Sequence, residues 1–165
     1  MGPAYAAVGA GVAALFEAIV ASRFHVAGVQ LQLVLVLAIV LTVAFRVESG
    51  MAWAFVGGLF MDLLMVRPLG STVFGLLIVV GGTAVMAHYL PLGKLAVTII
   101  AAFLMTVVYL VLTGGLVGIL RPPAYPLHLT SLFWAALVNA AFAAIVVLLA
   151  RGLRSRMQRR RRVIW

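Results

Sequence analysis

Asp62 is the residue best placed to do chemistry in this chain. It lies in G-M-A-W-A-F-V-G-G-L-F-M-D-L-L-M-V-R-P-L-G-S, Gly50 to Ser71, an apolar stretch that breaks at Arg67-Pro68-Leu69-Gly70 and then restarts. A charge inside a membrane helix costs roughly 2.5–3.5 kcal/mol on insertion scales, so it needs a partner or a use. Facing a cavity, the carboxylate would bind a cation, a proton or a polar substrate. Alternatively, Pro68 and Gly70 force an immediate return, which brings the next helix close. Its free amides at Ser71 and Thr72 carry partial positive charge, and Asp62 would accept hydrogen bonds from them or pair with Arg67. No second acidic residue is available to build a relay, which favours this pinning of the hairpin over transport chemistry. Ala54, Gly58 and Asp62 climb one side of the helix at successive turns, and Gly57 and Gly58 remove bulk so that a neighbour can approach.

Other chemistries find little support. His25, His88 and His128 fall on different segments, with no second ligand at helical spacing, so no metal site is expected. The chain has no cysteine, which removes disulfides, thiol catalysis and thiolate ligation. Ser22, Ser49, Ser71, Ser131 and Ser155 occupy no nucleophile-elbow context. We expect no enzyme and no cofactor.

The elements that must hold Asp62 follow from composition. Of 165 residues, 66% are hydrophobic and only 9% charged, more apolar than a soluble domain of this length needs. The fold class is an all-α integral membrane protein. A span takes about 20 apolar residues, so the chain holds roughly six and no soluble catalytic domain. The expected spans are 2–22, 26–45, 50–66, 71–90, 94–120 and 131–150, forming one transmembrane domain over 1–150 with a basic tail over 151–165. The first lacks the basic n-region of a signal peptide, so it is expected to remain as helix one. Four of the five connections are very short, so consecutive helices run antiparallel.

Seven of the twelve basic residues, Arg151, Arg154, Arg156, Arg159, Arg160, Arg161 and Arg162, lie in the tail. With both termini in the cytoplasm, Arg46 and Lys94 join them, leaving Arg23, Arg67 and Arg121 outside, as the positive-inside rule requires. Tyr5, Trp53 and Tyr89 then fall near the inner interface and Trp134 near the outer one. The tail arginines suit anionic lipid, with a cytoplasmic protein as the minority option and nucleic acid set aside.

Small residues recur every fourth position in helix one at Gly2, Ala6, Ala10, Ala14, Ala18 and Ser22, a stripe for the protein's own helices or for a partner. Glu17, beside it, is expected to pair with Arg23 or to snorkel to the surface. Gln30 and Gln32 in helix two, and Asn139 in helix six, are expected to hydrogen-bond across helices. Gly114, Gly115 and Gly118 suggest another close-approach surface, and R-P-P-A-Y-P-L-H after Leu120 a stiff, extended loop.

Taken together, the chain resembles the MreD family of bacterial rod shape-determining membrane proteins. The likeness is carried by Gly58-x-x-x-Asp62 followed by Leu69-Gly70, with a fainter echo in Trp134-x-x-x-x-Asn139 and the basic tail. The resemblance implies a non-enzymatic subunit of the elongation machinery in the bacterial inner membrane. It also implies a bitopic MreC-like partner, links to RodA, a class B penicillin-binding protein and MreB filaments, and a six-helix bundle similar to the substrate-binding subunits of energy-coupling-factor transporters. A vitamin-binding transporter subunit is therefore the alternative function. Its site would need several convergent polar groups, of which Asp62, Gln30, Gln32, Asn139, Thr106 and Tyr109 are the candidates.

Overall fold

The segment L-V-L-V-L-A-I-V-L-T-V-A is apolar on every side, and a helix of that kind must be enclosed by others. In the computed structural model, which describes residues 3–19, 25–26, 29–120 and 128–161, it is helix α2 (Leu33–Ala44), and it touches all five other helices. Around it stand α1 (Pro3–Ile19), α3 (Val47–Leu64), α4 (Ser71–Tyr89), α5 (Lys94–Leu120) and α6 (Leu129–Arg161). Val34, Leu35, Val36, Ala38 and Ile39 form the centre of the core. Large apolar side chains such as Phe16, Phe55, Leu63, Phe74, Ile145 and Leu149 point outward, the reverse of a soluble protein and the expected arrangement for one bathed in lipid.

α3, α4, α5 and the first 24 residues of α6 are long and apolar enough to cross a membrane. α2 has 12 residues, about 18 Å of helix, short of a bilayer's ~30 Å hydrocarbon core.

The expected helix from 26 to 45 is thus corrected. Its first third is an antiparallel pair of two-residue strands, β1 (His25–Val26) and β2 (Val29–Gln30), with His25 opposite Gln30. Valine suits extended backbone. Gln30 therefore lies in a strand, and Gln32 is the residue capping α2.

Helix α6 continues unbroken to Arg161, so the basic residues from Arg151 to Arg161 share one helix with the last apolar stretch. Arginine is a good helix former, and cations near a helix C-terminus complement its dipole. Trp53 turns into the core, 7% exposed, its Nε1 donating to the Val34 carbonyl at 3.0 Å. Tyr5, Tyr89 and Trp134 are exposed. The Arg121–Leu127 part of the proline-rich loop lies outside the described residues.

Glycines set the closest approaches. A Cβ on Gly58 would meet Val73 Cα at 2.8 Å and Val73 N at 2.9 Å, so α3 and α4 are in backbone contact there. One on Gly57 would meet Val34 Cγ1 at 2.7 Å and the Ala10 Cβ at 3.5 Å. The expected surface at Gly114, Gly115 and Gly118 is not used in this way at Gly115, where an added Cβ meets nothing within 4 Å. The α4–α5 contact is made instead through Gly75, against Tyr109 and Thr113.

Candidate functional site

The break after α3 is built so that one residue serves both helices. α3 ends with Val66 in the left-handed region at φ 51°, and the Arg67 N–H donates to the Asp62 carbonyl at 3.0 Å. This is the six-to-one bond of a Schellman ending, usually made with glycine at the left-handed position. Pro68 then prevents continuation of the helix. Gly70, at φ 92°, turns the chain into α4, a conformation that a side chain would strain.

The Asp62 side chain completes the turn. Its Oδ2 accepts from the Gly70 N–H at 2.7 Å, and its Oδ1 from the Thr72 N–H at 3.0 Å and the Ser71 hydroxyl at 3.2 Å. Only 1% exposed, the carboxylate stands in for the N-cap side chain that Gly70 lacks. The expected bonding to the α4 amides thus holds for Thr72 and extends to Gly70. Ser71 contributes its hydroxyl, while its amide donates to the Pro68 carbonyl at 3.1 Å. Among the described residues the ion pair is Arg46 with Glu48 at 3.3 Å, so Asp62 is not paired with Arg67. Pro68 is half-buried and Leu69 exposed.

A second carboxylate does related work deeper in the bundle. Glu17 was expected at the surface or paired with Arg23. Instead it is 7% exposed, and its Oε2 accepts from the Val34 N–H at 2.7 Å (Arg23 lies outside the described residues). Helix α2 begins inside the protein, with its first amides facing low-dielectric surroundings, so an acceptor there is needed. Asn139 of α6 supplies another: its Oδ1 accepts from the Gln32 N–H at 3.1 Å. Its Nδ2 donates to Gln32 Oε1 and Thr106 Oγ1, both at 3.3 Å. Asn139 is fully buried and ties α6 to α5 and to the start of α2, as expected of an amide at that depth.

The small-residue stripe of α1 faces its own neighbours. Ala10 and Ala14 are fully buried, α1 packs mainly on α3, and Ala18 is half-buried; the Ala6 side chain lies outside the described residues. The arrangement as a whole is a set of buried polar groups whose partners are backbone amides, carbonyls and one another. Thr72 Oγ1 and Thr83 Oγ1 are the exceptions among the described residues. Chemically, such a network fixes helix ends and crossing points.

Sequence reasoning found Asp62, Gly58, Gly70 and Asn139 but missed what Glu17 does. The available signal was a carboxylate well inside an apolar segment, with no polar neighbour on its own helix.

The family model described as rod shape-determining protein MreD matches residues 8–156, nearly the whole chain. The chain belongs to the MreD family. MreD-family proteins are shape-determining membrane proteins that function with other shape-determination proteins, and the family is not a known family of enzymes. No curated protein and no solved structure matches the chain. The match spans the Gly58–Asp62 and Leu69–Gly70 motif, Asn139 and the first basic residues of the α6 extension, Arg151, Arg154 and Arg156.

Proposed function

We propose that this protein is a non-enzymatic scaffold subunit of the bacterial cell-elongation machinery. In this reading it binds an MreC-like bitopic protein in the inner membrane and helps organise peptidoglycan synthesis and maintain rod shape. RodA, a class B penicillin-binding protein and MreB filaments are its further associates. The reading takes residues 1–150 as one six-span domain with both termini cytoplasmic.

The family match over residues 8–156 carries this reading. The internal polar groups support it. Asp62, Glu17 and Asn139 hold helix termini, and Asn139 also bonds Gln32 and Thr106 side chains, which serves a rigid docking body better than a substrate site. Since Ala10 and Ala14 are covered by α3, a partner helix would meet the outward apolar faces instead.

The test is a mild-detergent pull-down of the tagged protein from its native membrane, with mass spectrometry of what co-purifies. A bitopic partner with a periplasmic coiled coil, or cell-wall synthases, is the expected recovery. Paired ATPases with a coupling membrane protein would overturn the reading in favour of a vitamin-transporter subunit. Orientation can be checked separately because the chain has no cysteine. A Leu69→Cys variant should react with an impermeant thiol reagent from outside, and Leu92→Cys only after permeabilisation.

A further inference from the structure

The connection of α6 to its basic end is the feature that the scaffold reading leaves unexplained. The apolar part of the helix finishes at the exposed Leu148, Leu149 and Ala150, and Arg151 follows in the same helix, which runs on to Arg161. There is no linker, so the arginines are held at fixed heights above the last apolar turn. At 1.5 Å per residue, Arg154 and Arg156 stand about 4.5 and 7.5 Å along the axis from Arg151, and Arg159 to Arg161 about 12–15 Å. The sequence has no acidic residue after Asp62, so no carboxylate of α5 or α6 can neutralise them. Antiparallel packing puts Arg46, Glu48 and Lys94 at this same end, and Glu48 is already engaged by Arg46 at 3.3 Å. This end of the molecule is strongly positive just where the apolar surface stops.

The geometry points to a binding site for anionic phospholipid headgroups formed by the first turns of this extension, Arg151, Arg154 and Arg156. The inference rests on reading the protein as membrane-spanning, but not on its partners in the elongation machinery. Attraction to an anionic surface decays over a Debye length of about 8 Å at physiological salt. The three proximal arginines fall within that reach of the headgroup level, whereas Arg159, Arg160 and Arg161 on an upright helix stand beyond it. A flexible tail would let all of them contact lipid equally; a continuous helix grades them by height.

The full-length protein, delipidated in mild detergent, would be titrated with phosphatidylglycerol or phosphatidylcholine and the bound lipid counted by native mass spectrometry. An arginine near an anionic surface is worth about fivefold in affinity. The triple variant R151Q/R154Q/R156Q should therefore lose at least tenfold in phosphatidylglycerol affinity, with phosphatidylcholine binding unchanged. The triple R159Q/R160Q/R161Q should lose less than threefold. Replacing the proximal three with lysine should preserve the preference, which separates a charge effect from misfolding. Equal affinity of the unsubstituted protein for the two lipids, or equal loss in the two glutamine triples, would overturn the proposal. So would a proximal glutamine triple that keeps its lipid preference while the distal one sheds a co-purifying protein, which would assign the arginines to a protein partner.

Discussion

Asp62 and Glu17 are both buried carboxylates that close the N-terminus of a helix other than their own, yet they do so on different terms. Asp62 reaches eight to ten residues ahead and uses both oxygens, accepting from two amides and a hydroxyl. Glu17 reaches seventeen residues ahead, with Oε2 on the Val34 amide, and shares the α2 terminus with Asn139 from the far end of the chain. The first is a local device that sets one hairpin. The second is a tertiary device that depends on three helices being in place. A local cap concentrates its stabilisation in one residue, whereas a shared cap spreads it.

Breaking this contrast should give effects of graded size. The largest is expected at Asp62. Asp62→Ala leaves three donors without their acceptor at about 1–2 kcal/mol each, so the loss should be on the order of 3–6 kcal/mol in a detergent unfolding assay. Asp62→Asn, nearly identical in shape, should keep most of that loss, because an amide has one acceptor oxygen where two are used. If Asp62→Asn unfolds with the unsubstituted protein, the capping account fails. If it leaves stability intact while abolishing partner capture, Asp62 is a recognition residue.

Gly58→Ala comes next, at about 1–3 kcal/mol, because the new methyl would press on Val73 backbone that cannot rotate away. The same substitution at Gly57 meets the Val34 side chain and the Ala10 methyl and should cost less. Equal losses would mean that the α3–α4 contact is softer than its backbone proximity suggests.

Glu17→Gln sharpens the comparison directly. A glutamine still offers one oxygen to Val34, and Asn139 still holds Gln32, so about 1–2 kcal/mol is expected, well below Asp62→Asn. A loss as large as that of Asp62→Asn would show that the shared cap is no more forgiving than the local one. Smallest, and opposite in sign, is Val66→Gly. Val66 holds a left-handed φ that costs a β-branched residue roughly 1–2 kcal/mol, and its side chain is exposed. Glycine should raise the unfolding temperature slightly, the gain in stability being about 1 kcal/mol or less after its own entropic cost. A lowered temperature would indicate that the valine side chain contributes contacts outweighing the strain.

The contrast also explains what could be read from the sequence. The Asp62 cap was legible because carboxylate, proline, glycine and acceptor helix all lie between 62 and 72, where the turn leaves the chain few routes. The Glu17 cap was not legible, because the start of α2 carries no Ser, Thr, Asp or Asn signal: Gln32 is its N-cap, without a side-chain cap bond. An uninterrupted apolar run from Leu33 conceals where a helix begins, and Val26 and Val29 are as compatible with a strand as with a span. Asn139 was legible as an amide needing a partner, but the identity of Gln32, 107 residues earlier, was not. The arginine run was plain as charge, while its helical continuity with α6 was not.

The two-part closure of α2 has a consequence for how the protein is made. Helix α2 leaves the ribosome early, but the Asn139 that takes its Gln32 amide belongs to α6 and is synthesised 107 residues later. Until α6 arrives, that amide lacks the acceptor that Asn139 supplies in the folded protein. We expect a nascent chain arrested before Leu129 to be engaged by membrane chaperones and proteases, and protection to appear only once residue 139 has entered the bilayer. Helix α6 would then act as a completion signal for this closure, before any partner is recruited.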